Sequence, residues 1–263
     1  MPYIKKDSYN LYYEYEYKSQ NTLVFIHGLG ANINQIKNTY YNTGNNSLLL
    51  IDMEGHGKSE VDLNNYNFSS FSDDIKYILD YLNIKKIALA GISMGSATAI
   101  NFTLKYPEYV NKLILIRNAW TNKSMHPEFV ELYDIVAEAL KAKNIQILAS
   151  SEQFIKLKSK SNQATTSLVN YFNDSASLKC YQKFNILPKS QPFSELKDLN
   201  KIKIDTLIVS NHNDPIHPYE YGEIISENIN NSKFIEITSK DIDKNKHIAE
   251  LNLNINKFLI DGN

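Results

Sequence analysis

The sequence is poor in the residues that build covalent or metal frameworks. Cys180 is its only cysteine, so an intramolecular disulfide is impossible and a cysteine-based zinc cluster is excluded. Of 28 basic residues only one, Arg117, is an arginine; Trp120 is the sole tryptophan, and glycines number nine. No apolar run is long enough to span a bilayer. The opening stretch MPYIKKDSYNLYYEYEYK has no apolar core of the kind a signal peptide needs. The expectation is a cytoplasmic chain without stable membrane insertion. Strong charge is also missing: the formal net charge is -1 and the pI about 6.6. That balance argues against nucleic acid or an anionic membrane as the main partner. The oligomeric state is not readable from the sequence.

What is present fits one large α/β domain with an insertion. The 263 residues are 43% hydrophobic and 22% charged, enough for a full core. Tyr3 to Tyr17 alternates around the turn signal DSYN, which predicts a β-hairpin. Continuous apolar runs then recur at 22–28, 48–52, 87–91, 112–116, 204–210 and, less purely, 233–238. Such runs are expected of strands buried on both faces. Helical patterns lie between them, in FSSFSDDIKYILDYL, MGSATAINFTLKY, PYEYGEIISENI and HIAELNLNINKFLI. Alternating strands and helices predict a mostly parallel sheet with helices on both faces.

The alternation fails between Ala119 and about Pro192. Four segments there, starting at residues 127, 145, 163 and 176, have helical character and no convincing strand. Ligands of open parallel sheets bind at the carboxyl ends of the strands. An insertion leaving from such an end is therefore expected to cover the site. The predicted division is a core of 1–118 and 193–263 with a helical cap at 119–192.

The chemistry centres on IALAGISMGSATAI, residues 87–100. Here Gly91 and Gly95 flank Ser93 between an apolar strand and a small-residue helix. This is the G-x-S-x-G elbow, in which a sharp strand–helix turn lifts the serine hydroxyl clear of the sheet. A nucleophilic serine needs a base, and the base an orienting acid. His247 follows the last predicted strand and precedes the terminal helix. Asp214 follows another strand, in TLIVSNHNDPIHP. The order Ser93, Asp214, His247 is the one expected of this elbow. Asp241 and Asp243 are rival acids too close in sequence to His247 to orient it. The expected oxyanion donors are the backbone N–H groups of Met94, at a helix N-terminus, and Leu29, in FIHGLG. His27 is expected to orient its own loop, and His56 to belong to a structured turn in DMEGHGKSE. Six of the nine glycines fall in these three loops.

These motifs together resemble the α/β-hydrolase superfamily. The resemblance rests on HGLG (27–30), DMEGHGKS (52–59), GISMG (91–95), DPIHP (214–218) and His247. It implies the eight-stranded α/β-hydrolase fold with a cap between strands six and seven. It also implies Ser93 as nucleophile, Asp214 as acid, His247 as base, and Leu29 with Met94 as oxyanion donors, with neither metal nor organic cofactor. A serine nucleophile separates the chain from relatives that use aspartate. Two departures are Ser96, where many relatives have glycine, and Arg117, where an uncharged or acidic residue is commoner.

The implied activity is hydrolysis of a small or medium carboxylic ester, possibly a thioester. Two alternatives stay open at this point: carbon–carbon bond hydrolysis by the same triad, and a slow-turnover ligand receptor or signalling partner. Arg117, with Trp120 three residues on, is a candidate for binding a substrate carboxylate or phosphate. A salt bridge from Arg117 to a cap glutamate is the competing expectation.

Overall fold

A computed structural model describes residues 2–260. Strands β1 (Tyr3–Lys6) and β2 (Tyr9–Glu16) form the hairpin; β3 (Thr22–Ile26) and β4 (Ser47–Asp52) follow, with the short helix α1 (Ile33–Lys37) between them. Helix α2 (Phe68–Tyr81), β5 (Ile87–Ile92), α3 (Met94–Lys105) and β6 (Val110–Ile116) complete the first part. The sheet has eight strands in the order β1-β2-β4-β3-β5-β6-β7-β8, where β7 is Asp205–Ser210 and β8 is Ser232–Glu236. Pairings of β1 with β2 and β2 with β4 are antiparallel, and the rest are parallel.

The continuous apolar runs are explained by position. β3 and β5 lie at the middle of the sheet, and every residue in them is buried. Side chains alternate between the two faces. Val24, Ile26 and Leu89 thus join the core under α2 and α3, while Leu23, Phe25 and Ala90 join a second core. That second core is closed by α1 and the terminal helix. β8, an edge strand, is only half-buried, and this accounts for its impure pattern KFIEIT. Asn67 starts α2 through a reciprocal capping box with Ser70.

Between β6 and β7 the described residues form helices only: α4 (Pro127–Lys141), α5 (Ile145–Ala149), α6 (Glu152–Lys160), α7 (Asn162–Asn170), α8 (Ser175–Lys179) and α9 (Lys183–Ile186), with short 3₁₀ turns. Two of the four expected helices are each broken in two. Ser151 ends one by capping α6, its hydroxyl accepting from the Phe154 N–H. The helical segment rests on the carboxyl edge of the sheet. Tyr171 donates to the Leu29 carbonyl at 3.0 Å, and buried Lys183 donates to the Gly55 carbonyl at 2.9 Å. Its Phe129, Tyr133, Leu168 and Phe184 share one apolar core with the strands.

After β7 come α10 (Tyr219–Asn228), β8 and α11 (Lys244–Ile260). The terminal helix starts earlier than its sequence pattern predicts. Asp243 accepts from the Lys246 N–H at 2.9 Å, so it acts as the N-cap and places His247 one turn inside the helix.

Ser96, the departure beside the elbow, fastens the turn to β6. Its buried hydroxyl donates to the Gly91 carbonyl at 2.6 Å and accepts from the Ile116 N–H at 2.9 Å. Removing it leaves two buried backbone groups without this partner. Ser96→Ala should therefore lower the unfolding free energy by about 1–3 kcal/mol in denaturant titration. A loss below about 0.5 kcal/mol, the range of an ordinary surface change, would show that strand pairing alone holds the elbow.

Candidate active site

Ser93 sits where β5 turns into α3, with φ 57° and ψ −112°, a left-handed conformation that a serine adopts only under constraint. The constraint is close backbone approach. A methyl group at Gly91 would collide with the backbone of Gly95, and one at Gly95 with the Ile26 carbonyl. The Ser93 N–H donates to the Ile116 carbonyl at 2.9 Å, which ties the apex to the neighbouring strand end.

A histidine meets the serine, and it is His217 rather than His247. The Ser93 Oγ lies 2.9 Å from His217 Nε2. His217 Nδ1 lies 2.8 Å from Asp214 Oδ1, and the other carboxylate oxygen accepts from Arg117 Nε at 2.6 Å. Asp214 and His217 share one turn after β7, closed by the His217 N–H donating to the Asp214 carbonyl at 3.2 Å. The hydrogen bonds assign the tautomer: Nδ1–H donates to the carboxylate, leaving Nε2 to accept the serine proton. Arg117 Nη2 is 3.2 Å from the same Nδ1. Two donors cannot share that position, and the nearer carboxylate is the partner that accepts the imidazole proton.

The electrostatics favour a neutral imidazole over an ionised acid. Burial alone would raise the Asp214 pKa, but Arg117 and then His217 outweigh it and hold the carboxyl well below the usual range. Burial lowers the His217 pKa; Asp214 pulls it up, and Arg117 pushes it further down.

His247 is buried, is not hydrogen-bonded to Ser93 and does not line the cavity there. Its Nδ1–H donates to the Thr238 carbonyl at 2.8 Å, and its Nε2 has no hydrogen-bond partner among the described residues. Burial, reinforced by Lys240, lowers its pKa to about 4. Being inside α11 rather than before it explains the displacement, since the helix carries the ring against its own entry loop. Asp241 accepts from Ser161 Oγ at 2.5 Å and from the Gln163 N–H at 3.2 Å, so it orients neither histidine.

Arg117, at φ 52°, pairs with Asp214 and not with a glutamate of the helical segment. Trp120 is buried edge-on against Phe68, with ring centroids 5.4 Å apart, and does not line the cavity at Ser93. The cavity, about 240 Å³, is lined by Ser93, His217, Leu29, Arg117, Tyr133, Tyr171 and Lys240 among others. Leu29 follows β3, and Met94 is the first residue of α3, whose first-turn N–H groups lack intrahelical acceptors. His27 donates through Nδ1 to the Gly28 carbonyl and accepts from the Met53 N–H at 3.1 Å. His56 donates to the Glu54 carbonyl at 2.9 Å. Among the described residues no group of three or more His, Cys, Asp or Glu side chains is arranged to hold a metal ion.

His217 is the residue beside Ser93 that the motif reading does not single out. Its signal was in plain view: a histidine three residues after the acid, in a loop at a strand's carboxyl end.

The chain is 25% identical over 242 residues to the AB hydrolase superfamily protein YisY of Bacillus subtilis, covering 89% of each. It is 36% identical over 106 residues to the 2-hydroxy-6-oxononadienedioate/2-hydroxy-6-oxononatrienedioate hydrolase of Escherichia coli K12, covering 38% of this chain and 36% of that one. It spans 30% to 38% of the length of several other curated relatives it matches. Among solved structures, an esterase from Exiguobacterium antarcticum superposes with a TM-score of 0.75 at 22% identity, covering 96% of both chains. A family profile described as alpha/beta hydrolase fold matches residues 21–243, the stretch that holds the elbow, Asp214 and His217, and the chain belongs to that family.

Proposed function

We propose that the protein is a serine hydrolase that cleaves a small or medium carboxylic ester, thioesters included, through an acyl-enzyme on Ser93. The observation that carries this reading is the unbroken chain Ser93 Oγ–His217 Nε2, His217 Nδ1–Asp214. His217 takes the serine proton as Oγ attacks the carbonyl carbon, then passes it to the leaving alcohol or thiol. Asp214 keeps the ring in the competent tautomer and stabilises the imidazolium that forms. The N–H groups of Leu29 and Met94 are the proposed oxyanion donors. A water deprotonated by His217 then attacks the acyl-enzyme and releases the acid. In this reading residues 119–192 act as a cap on a core of 1–118 and 193–263, and Tyr133 and Tyr171 supply its wall of the cavity.

A second reading keeps the triad and cleaves a carbon–carbon bond. It is supported by the 36% identity to the Escherichia coli hydrolase over 106 residues. Steady-state rates on p-nitrophenyl esters against vinylogous diketones separate the two.

A fluorophosphonate should add one phosphonyl group to the wild type and none to Ser93→Ala, read by intact mass. His217→Ala should lower kcat on the order of 10⁴-fold, and combining it with Ser93→Ala should cost little more, because triad members act as a unit. His247→Asn, which keeps a donor for the Thr238 carbonyl, should stay within about tenfold of wild type, a change of ~1.4 kcal/mol in barrier. A folded His247→Asn protein as impaired as His217→Ala would return the base role to His247.

The Arg117 pair makes a pH prediction. Activity requires neutral His217, so kcat/KM falls as pH drops through the His217 pKa. Arg117 lowers that pKa. Arg117→Met should therefore raise it and move the acid limb of the kcat/KM profile to higher pH. An unmoved limb, or one displaced downward, would show that Arg117 does not tune the base.

A further inference from the structure

Five charged side chains line the cavity at Ser93: Arg117, Asp214, Lys240, Asp241 and Lys244. Both carboxylates are already satisfied, Asp214 by Arg117 and His217, Asp241 by Ser161 and the Gln163 N–H. Arg117 is spent on Asp214. The cavity thus holds one more cation than carboxylate, three against two, and neither lysine is ion-paired with a described residue. Lys240 is the more constrained of them. It is half-buried, lines the same cavity as Ser93, and makes no hydrogen bond or ion pair with any described residue. Burial, with Arg117 beside it, pushes its ammonium down to about 7. Its ammonium is held against a small polar cavity without an ion-pair partner among the described residues.

The loop that carries Lys240 is fixed. The Thr238 N–H donates to Glu250 Oε2 at 2.7 Å, the Thr238 carbonyl accepts from His247 Nδ1, and Ser239 Oγ donates to the Asn213 carbonyl at 3.3 Å. His247, displaced from the base position, thus ties this loop to α11. The backbone on either side of Lys240 is preorganised, which is how a binding group is held at low entropic cost.

We propose that Lys240 anchors a carboxylate on the substrate, so that the esters cleaved at Ser93 are small anionic ones, such as half-esters of short dicarboxylic acids or esters of short hydroxy acids. This rests on the hydrolase reading above. The size follows from the cavity: about 240 Å³ is below the range that holds drug-sized ligands. A monoanionic carboxylate fits one ammonium. A dianionic phosphate would call for the bidentate donors that Arg117, turned to Asp214, no longer offers.

The test uses matched ester pairs differing only in a free carboxylate. Mono-p-nitrophenyl glutarate against p-nitrophenyl valerate places the charge on the acyl side. Thioglycolate butyrate against ethanethiol butyrate places it on the leaving-group side. The readout is the anionic-to-neutral ratio of kcat/KM in wild type, Lys240→Met and Lys240→Arg. In at least one pair this ratio should fall tenfold or more in Lys240→Met, chiefly through KM, and recover in part in Lys240→Arg. Unchanged ratios in both pairs overturn the proposal, even if both variants lose stability. Should wild type hydrolyse none of these esters, the hydrolase reading fails by itself. The anchor is then decided by calorimetric titration of glutarate into Ser93→Ala and into Ser93→Ala/Lys240→Met. A Kd at least tenfold weaker in the double variant supports the anchor, and equal or absent binding in both overturns it.

Discussion

A buried carboxylate governs this site. Asp214 is nearly inaccessible, and an ionised acid in that position must have both oxygens occupied or it protonates. One oxygen takes the His217 imidazole and the other takes Arg117. From that single requirement follow the tautomer of the base, the direction in which its free nitrogen points, and the fate of the only arginine. The ion pair also joins the end of β6 to the turn after β7, so the electrostatics of the acid and the approach of two sheet edges are one constraint.

Strain gathers at the same edge. Ser93, Arg117 and Asn213 all have positive φ without being glycine, and each stands at or just beyond the carboxyl end of a parallel strand. Such conformations cost on the order of 1–3 kcal/mol each and persist only where the surroundings over-determine them. Here the surroundings are identifiable. The Ser93 N–H is held by the Ile116 carbonyl, the Arg117 N–H by the Val209 carbonyl, and the elbow by Ser96. Ladder hydrogen bonding thus continues one residue past the strands into the site. A glycine in place of Ser96 would leave the elbow to strand pairing alone, which gives the departure at this position a structural cause.

The fold was legible because burial on two faces leaves so strong a mark. All eight strands and four of the five helices that flank the sheet follow from apolar runs such as LLLID and IALAG or from helical spacing such as FSSFSDDIKYILDYL; the five-residue α1 is too short to show a period. Short-range signals were harder to weigh. Helices α5 and α6 read as one because IQILASSEQFIKLK keeps its apolar spacing across the Ser150–Ser151 break, and only hydrogen bonding by Ser151 ends the repeat. The placements of Ser93 and Asp214 were readable from local context, since an elbow and a strand end are properties of a few consecutive residues. The histidine that meets Ser93 was not. His247 and His217 both lie just beyond strands, and the choice between them depends on whether Asp243 starts the terminal helix three residues early. Arg117 was singled out as the sole arginine, but its partner lies 97 positions away, a separation that no local pattern encodes.

Placing acid and base three residues apart changes how the site is held together. When the two come from separate loops, each loop must be positioned independently. Here a single turn, closed by the His217 N–H on the Asp214 carbonyl, carries both. The Arg117 pair ties that turn to the end of β6. The loop after β8 brings no histidine to Ser93, yet it borders the cavity and is fastened by a buried histidine. What it presents there is Lys240, ion-paired with no described residue, and next to it Asp241, held by Ser161 and the Gln163 N–H. A loop kept rigid beside the cavity is available for recognition, and Lys240 is the charge on it that no described residue pairs.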